Sequence, residues 1–261
     1  MRNIDHHPPG GFCWIELATT DSAAAKSFYG ELFGWTPNDV PMGPDAVYTM
    51  FELEGREAAA GYKLRPDQLE HGVPPHWLVY IAVANADDSA ARVPELGGKL
   101  SSPVFDVAEH GRMAIAHDPT GATFAIWQAK AHTGIQIGGV EGTLCWADLN
   151  SPDRDKAVPF YSGLFGWQFT PGKDGDMSGY LHIKNGEKFI GGAVPSSMLP
   201  PGTPPHWLAY FLVSNCDASA DKAKSLGANV WVPPSNVEGE GRFSVLSDPQ
   251  GAAFAIFQSS R

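Results

Sequence analysis

The chain is written twice. Cys13-Trp14-Ile15-Glu16-Leu17 returns as Cys145-Trp146-Ala147-Asp148-Leu149. Phe28-Tyr29-Gly30-Glu31-Leu32-Phe33-Gly34-Trp35 returns as Phe160-Tyr161-Ser162-Gly163-Leu164-Phe165-Gly166-Trp167, and both matches lie 132 positions apart. Pro74-Pro75-His76-Trp77-Leu78-Val79-Tyr80 returns 130 positions on as Pro204-Pro205-His206-Trp207-Leu208-Ala209-Tyr210. Gly111–Gln128 returns at Gly241–Gln258 with 10 of 18 residues identical. Four matches in one order point to two copies of one fold. The expected domains are 11–130 and 142–260, joined by a loop or hairpin over 131–141 that holds Gly134 and Gly138-Gly139.

A shorter echo lies inside the first copy. Glu31-Leu32-x-Gly34 matches Glu95-Leu96-x-Gly98, 64 positions on, each at the end of a helix that follows an apolar strand. Each domain is therefore read as two similar halves. In the first half, residues 12–19 alternate as a strand does. Asp21 is an N-cap, and residues 22–33 carry Ala25, Phe28, Tyr29 and Leu32 at helical spacing before Gly34 stops the helix. Strands are expected near 47–54 and 57–64. The second half gives a strand at 76–84, a helix at 87–96, and strands near 102–107, 112–117 and 122–128, the last two joined by an Asp118-Pro119-Thr120-Gly121 turn. The fold class is α+β, with β-α-β-β-β modules pairing into a cupped mixed sheet with helices outside the cup.

Alternation assigns faces. Trp77, Val79, Ile81 and Val83 are uniformly apolar and should meet the helix, as should Cys13, Ile15 and Leu17. Glu16, His76 and Tyr80 then point into the cup with Trp14, Leu78 and Trp127. The second copy places Asp148, His206 and Tyr210 in the same way, with Trp146, Leu208 and Phe257 around them.

Composition narrows the function. With 43% apolar and 18% charged residues the chain is globular. A net charge of −11 argues against a phosphate backbone or an anionic membrane as partner. No apolar run approaches the ~20 residues of a membrane span. Three cysteines, Cys13, Cys145 and Cys216, make neither a disulfide framework nor a zinc spacing. With no apolar leader at the start, the expected compartment is the cytoplasm. The expected state is a monomer or a homodimer, with a small molecule as partner.

The first strand, the Asp-capped helix with its Phe-Tyr-x-x-Leu-Phe-Gly-Trp ending and the late Asp-Pro-x-Gly turn resemble the vicinal oxygen chelate superfamily. It includes glyoxalase I, bleomycin- and fosfomycin-resistance proteins and extradiol dioxygenases. In style the chain is most similar to the two-domain glyoxalase-like proteins of actinobacteria. The resemblance implies a divalent metal held by His and Glu from strand centres. Those positions fall here on Trp14, Leu78 and Ala125, and in the second copy on Trp146, Leu208 and Ala255. The fourth, near 59–61 and 191–193, holds only Ala and Gly. Since an ion needs three or four N, O or S donors, no metal or other cofactor is expected at the usual place.

Glu16, His76 and Tyr80, with Asp148, His206 and Tyr210, remain as candidate acid–base groups. The competing reading of the carboxylate–histidine pair is a buried, internally satisfied filler of the space the metal left. A displaced ion on Glu16 and His76 would lack an evident third ligand. Trp14, Trp127 and Trp146, with Trp231, could line an aromatic pocket, whereas Trp77 and Trp207 belong to the core. Cys13 and Cys145 also read as core, and His6-His7 as an exposed tail. Three functions stay open: a metal-free binder of an aromatic or carbonyl-bearing molecule; a glyoxalase-like lyase, isomerase or accessory hydroxylase; and an interaction or structural role.

Overall fold

The computed structural model describes residues 3–44, 46–172 and 179–260. In the first domain, β1 (Phe12–Thr19) leads into helix α1 (Ser22–Phe33), then β2 (Thr36–Pro41), β3 (Val47–Leu53) and β4 (Arg56–Lys63). A short helix α2 (Pro66–Glu70) links this half to β5 (His76–Ala82), α3 (Ala86–Glu95), β6 (Lys99–Leu100), β7 (Phe105–Val107), β8 (Gly111–His117) and β9 (Thr123–Ala129). The second domain repeats this with β10 (Leu144–Asn150), α4 (Arg154–Phe165), β11 (Gln168–Pro171), β12 (Leu181–Asn185), β13 (Lys188–Val194), β14 (His206–Leu212), α5 (Cys216–Ser225), β15 (Asn229–Val237), β16 (Gly241–Ser247) and β17 (Ala253–Ser259). The edge strand β2 and the helix α2 carry little apolar alternation, and periodicity alone does not locate them.

Each domain is one mixed sheet. Its order is β2-β3-β4-β1-β5-β9-β8-β6 in the first, with β7 beside β8, and β11-β12-β13-β10-β14-β17-β16-β15 in the second. Within each half the first and last strands run parallel, β1 with β4 and β5 with β9, as a helical crossover allows. The halves join through the antiparallel pair β1–β5, in which Glu16 lies opposite Leu78 and Trp14 opposite Tyr80. β10–β14 repeats that register, with Asp148 opposite Leu208 and Trp146 opposite Tyr210. A bulge at Cys13, between Phe12 and Trp14, and another at Cys145 interrupt these ladders just before the tryptophans.

The helices begin and end as their sequences dictate. Asp21 accepts the backbone N–H groups of Ala23 and Ala24, and Asn85 those of Asp87 and Asp88. Gly34 and Gly166 close α1 and α4 at φ 74° and 73°, a left-handed turn that costs glycine nothing.

The helices lie outside the cups, each burying one face, and the two helix-bearing faces pack on each other. Trp77 on β5 meets Phe211 on β14 at 5.4 Å between ring centres. Phe33 of α1 meets Phe211 at 4.8 Å, and Phe124 of β9 meets Tyr161 of α4 at 5.5 Å. The repeated motifs explain this packing. Trp35 donates its indole N–H to Gly142 O (2.9 Å) at the entrance to the second domain, and Trp167 donates to Gly10 O (2.8 Å) at the entrance to the first. Tyr29 donates to Asp248 Oδ2 (3.0 Å) of the other domain's Asp-Pro-x-Gly turn and accepts from Trp77 Nε1 (3.0 Å). The other oxygen of Asp248 accepts three backbone N–H groups, from Gln250, Gly251 and Ala252. On the opposite side Trp207 donates to Tyr161 (2.8 Å), whose hydroxyl stands against Asp118. Asp118 Oδ2 there is buried without a donor in good hydrogen-bonding geometry.

Candidate functional site

The open face of each sheet carries one carboxyl group near its centre, half-buried in the first domain and buried in the second. Glu16, on the central strand β1, accepts hydrogen bonds from Tyr48 (2.7 Å) and Tyr80 (3.1 Å). Trp14, two residues back on the same face, donates its indole N–H to the Tyr48 hydroxyl at 3.1 Å. In the second domain Asp148 accepts from Tyr180 and, at 2.7 Å, from Tyr210. Trp146 donates to Asp148 Oδ1 (3.0 Å) and to the Tyr180 hydroxyl (2.9 Å). Each cup floor is thus a carboxyl clamped by two phenols under an indole.

The two clusters solve one problem with different side chains. Asp148 is one methylene shorter than Glu16, so its tyrosine must come closer to the sheet. The residue beneath is Ala60 in the first domain, where it pairs with Glu16, and Gly192 in the second, where it pairs with Asp148. A Cβ on Gly192 would run into the Tyr180 hydroxyl. Glycine here makes room for the shorter carboxylate's partner.

Burial and hydrogen bonding pull these carboxyls in opposite directions. Loss of hydration is the larger effect and raises both Glu16 and Asp148 above the ordinary carboxylate range, while their tyrosine donors lower them. The tyrosines rise well above their usual value, from burial first and the adjacent carboxylate second. A carboxyl with a raised pKa and two phenolic neighbours can hand a proton to a bound oxygen or take one from it.

The structure sorts the sequence candidates. Glu16 with Tyr80 and Asp148 with Tyr210 come together, and Trp14, Leu78 and Trp127 surround the first pair. Trp146, Leu208 and Phe257 lie around the second, Leu208 and Tyr210 packing with Trp146 and Phe257 in one apolar cluster. The histidines do not join the carboxyls. His76 shares the cup face, opposite Ala18, and its Nδ1 is bonded to Pro74 O at 2.8 Å. His206 repeats this with Pro204 O (2.8 Å) and places Nε2 3.3 Å from Asn150. Burial lowers the pKa of both, favouring neutral imidazoles.

Trp77 and Trp207 are interface residues, as above. Trp231 stands on the edge strand β15, 67% exposed, away from Asp148. Cys13 is fully buried and donates to Tyr80 O (3.5 Å), and burial raises its thiol pKa. Cys145 donates to Tyr210 O (3.4 Å), and burial pushes its pKa up to about 12. His6 is exposed, whereas His7 is half-buried and bonded to Ile135 O at 2.8 Å.

Sequence reasoning missed Tyr48 and Tyr180. Neither lies in a repeated motif, but they stand 132 positions apart, the same offset as Trp14 and Trp146. A pair of tyrosines at that offset was the available signal.

None of the superfamily's metal positions carries a free donor. Leu78, Ala125, Leu208 and Ala255 offer no donor atom, and the indole nitrogens of Trp14 and Trp146 are hydrogen-bond donors only, already engaged. Among the described residues no group of three or more His, Cys, Asp or Glu side chains is placed to hold a metal ion. The residues present do not fit the ion. No helix is long and apolar enough to cross a membrane among those described.

Comparison with known proteins agrees with this geometry at the level of fold and family. Residues 11–126 and 143–256 each match the Glyoxalase/Bleomycin resistance protein/Dioxygenase superfamily. The chain is 40% identical over 246 residues to "Putative glyoxylase CFP32" of Mycobacterium tuberculosis, covering 94% of this chain and 93% of that one. It is 33% identical over 267 residues to "Anthracycline biosynthesis protein DauV" of a Streptomyces species, covering 96% and 94%. Among solved structures it resembles the Mn(II)-bound glyoxalase of Novosphingobium aromaticivorans, with a TM-score of 0.65, 18% identity, and 99% and 83% of the chains covered. It also resembles a catechol 2,3-dioxygenase, with a TM-score of 0.64, 14% identity, and 98% and 90% covered; both likenesses concern the fold alone. With both halves matched, the chain belongs to the glyoxalase/bleomycin resistance protein/dioxygenase superfamily as a tandem two-domain member.

Proposed function

We propose that this protein binds, without a metal, a planar aromatic molecule bearing carbonyl and hydroxyl groups. The observation that carries the proposal is the replacement of every metal-ligand position by Trp, Leu, Ala or Gly beside a tyrosine-clamped carboxyl. Such a floor offers ring faces for stacking and, next to them, groups that donate and accept hydrogen bonds. A relative at 33% identity is named for anthracycline biosynthesis, and anthracyclines carry this kind of hydroxylated polycyclic ring system. Fold alone does not select a ligand, so the support for this class comes from the chemistry of the cup floor.

A second reading rests on the raised carboxyl pKa values. Glu16 with Tyr48 and Tyr80, or Asp148 with Tyr180 and Tyr210, would move protons on the bound molecule, as a lyase, isomerase or accessory hydroxylase requires. His76 and His206 stand apart from that cluster and would act only at the rim.

The test uses the untagged full chain purified without chelator. Elemental analysis is expected to show no stoichiometric metal. Titration with 1,4-dihydroxyanthraquinone is expected to quench tryptophan fluorescence saturably and to leave the compound unchanged. Stoichiometric zinc, iron or manganese would overturn the metal-free reading, and chemical conversion of the compound would favour the enzyme.

A further inference from the structure

The two cups share a floor but not a mouth. After β9 the chain turns back over the first cup. The N–H groups of Lys130 and His132 both donate to His110 O at 3.0 Å, Ile135 N donates to Cys13 O at 2.8 Å, and Gln136 N to Glu57 O at 2.8 Å. Gly134 passes so close to the Cys13 carbonyl that a Cβ would collide with it, so only glycine permits the approach. This course brings the His132 ring edge-on to Trp14, 4.6 Å between centres, and 5.9 Å from Trp127. Trp127 donates its indole N–H to His132 O (3.2 Å), and His132 Nε2 lies 3.0 Å from Glu57 Oε2. Gln136 reinforces that glutamate, its amide donating to Glu57 Oε2 at 3.0 Å. An imidazole thus stands where a ligand ring would stack, and Trp14, Met113 and Trp127 beneath it are 4%, 6% and 6% exposed.

Among the described residues the second cup has no such cover. Trp146, Phe243 and Phe257, which correspond to Trp14, Met113 and Trp127, all keep intermediate exposure. At the position of Glu57, whose carboxylate lies against His132 without a hydrogen bond in good geometry, stands Phe189, 55% exposed. At the position of Met50 stands His182, its ring 5.1 Å from Tyr180 and 5.5 Å from Phe189. Partly exposed rings thus surround a fully formed hydrogen-bonding floor.

Building on the proposed function, we infer that residues 131–137 are a built-in occupant of the first cup, with His132 as a pseudo-ligand. The second cup, around Asp148, is then the binding site for the aromatic molecule. Trp146 and Phe257 supply ring contacts, and His182 with the Tyr180 and Tyr210 hydroxyls meets the ligand's carbonyl and hydroxyl edge. Wild-type protein therefore binds one ligand per chain, and the first cup is a latent second site.

The experiment pairs equilibrium titration with hydroxyl-radical footprinting of the full chain. With 1,4-dihydroxyanthraquinone as probe, the wild type is expected to bind one molecule. W146A should weaken binding at least tenfold, and H132G combined with E57A should raise the stoichiometry to two. Two sites in the wild type, or binding retained on W146A, would overturn the inference. Footprinting needs no variant and no ligand: Trp146, Phe243 and Phe257 should be oxidised several-fold faster than Trp14, Met113 and Trp127. Equal oxidation overturns the closure of the first cup. No probe binding together with an asymmetric footprint would sink the aromatic-ligand reading and the assignment of the second cup as its site, leaving the closure standing.

Discussion

The phenol of Tyr29 is the most informative single atom to remove. In Y29F the ring keeps its place among Phe28, Trp35 and Phe254, so packing is preserved. Two hydrogen bonds vanish at once, the one accepted by Asp248 and the one donated by Trp77. Both orphaned groups are buried: Asp248 is 0% and Trp77 4% exposed. A hydrogen bond to a charged group contributes about 1.5–3 kcal/mol, and an unpaired buried donor costs about 1–3 kcal/mol. Since Asp248 retains its three backbone donors, the lower half of the combined range applies, about 3 kcal/mol. For a chain of this size that lowers Tm by roughly 6–12 °C. The assay is urea unfolding followed by fluorescence and circular dichroism, with W77F and the double variant closing a cycle. The coupling between Tyr29 and Trp77 should exceed about 0.5 kcal/mol, the usual scatter of independent sites. Y161F should cost less than Y29F, because Asp118 Oδ2 has no well-formed bond to lose. A Y29F loss below about 0.5 kcal/mol would refute the claim that this chain of bonds ties the domains together.

Three further outcomes follow from the cup floors. Burial holds the folded Glu16 and Asp148 pKa values above their ordinary 4.5 and 3.8, so the folded state binds these protons more tightly. Their contribution is complete below the ordinary values and is lost as pH rises through the raised ones; the stability advantage of wild type over E16Q or D148N should shrink from about pH 4 upward in urea midpoints, and an advantage that grows with pH would contradict it. G192A should push Tyr180 off Asp148 at a cost of about 1–3 kcal/mol, typical of overpacking, and D148E should recover part of that loss by rebuilding the first domain's Glu–Ala pairing, as thermal melts of the single and double variants will read. Y48F removes one of the two phenols that lower the Glu16 pKa, so carboxyl NMR should show Glu16 titrating higher than in wild type.

Much of this architecture was legible because it is periodic. The helix over 22–33 and the strand over 12–19 follow from spacing, a capping Asp and a closing Gly, and the structure places them at those residues. β2 was invisible: Thr36–Pro41 is exposed along its whole length, so nothing in its sequence records a buried face. Glu16 and Tyr80 could be placed on one face by counting in twos, but contact between β1 and β3 depends on strand order, which periodicity does not encode. Tyr48 was missed for that reason. His76 illustrates the converse, since sharing a face with Glu16 did not make it a partner, and a turn carbonyl two residues away claimed its ring nitrogen first.

Two of the repeated motifs do not line either cup. Phe-Tyr-x-x-Leu-Phe-Gly-Trp and Asp-Pro-x-Gly meet each other across the interface, each helix reading the turn of the other half. Selection on either half is therefore transmitted to its sibling: a change at Tyr29 is felt at Asp248, more than two hundred residues later. Duplicated halves bound in this way lose the freedom to drift apart at those positions even when their cups diverge. Resemblance between the repeats at these two motifs measures mutual dependence, and it would survive intact in a lineage where one cup had never met a ligand.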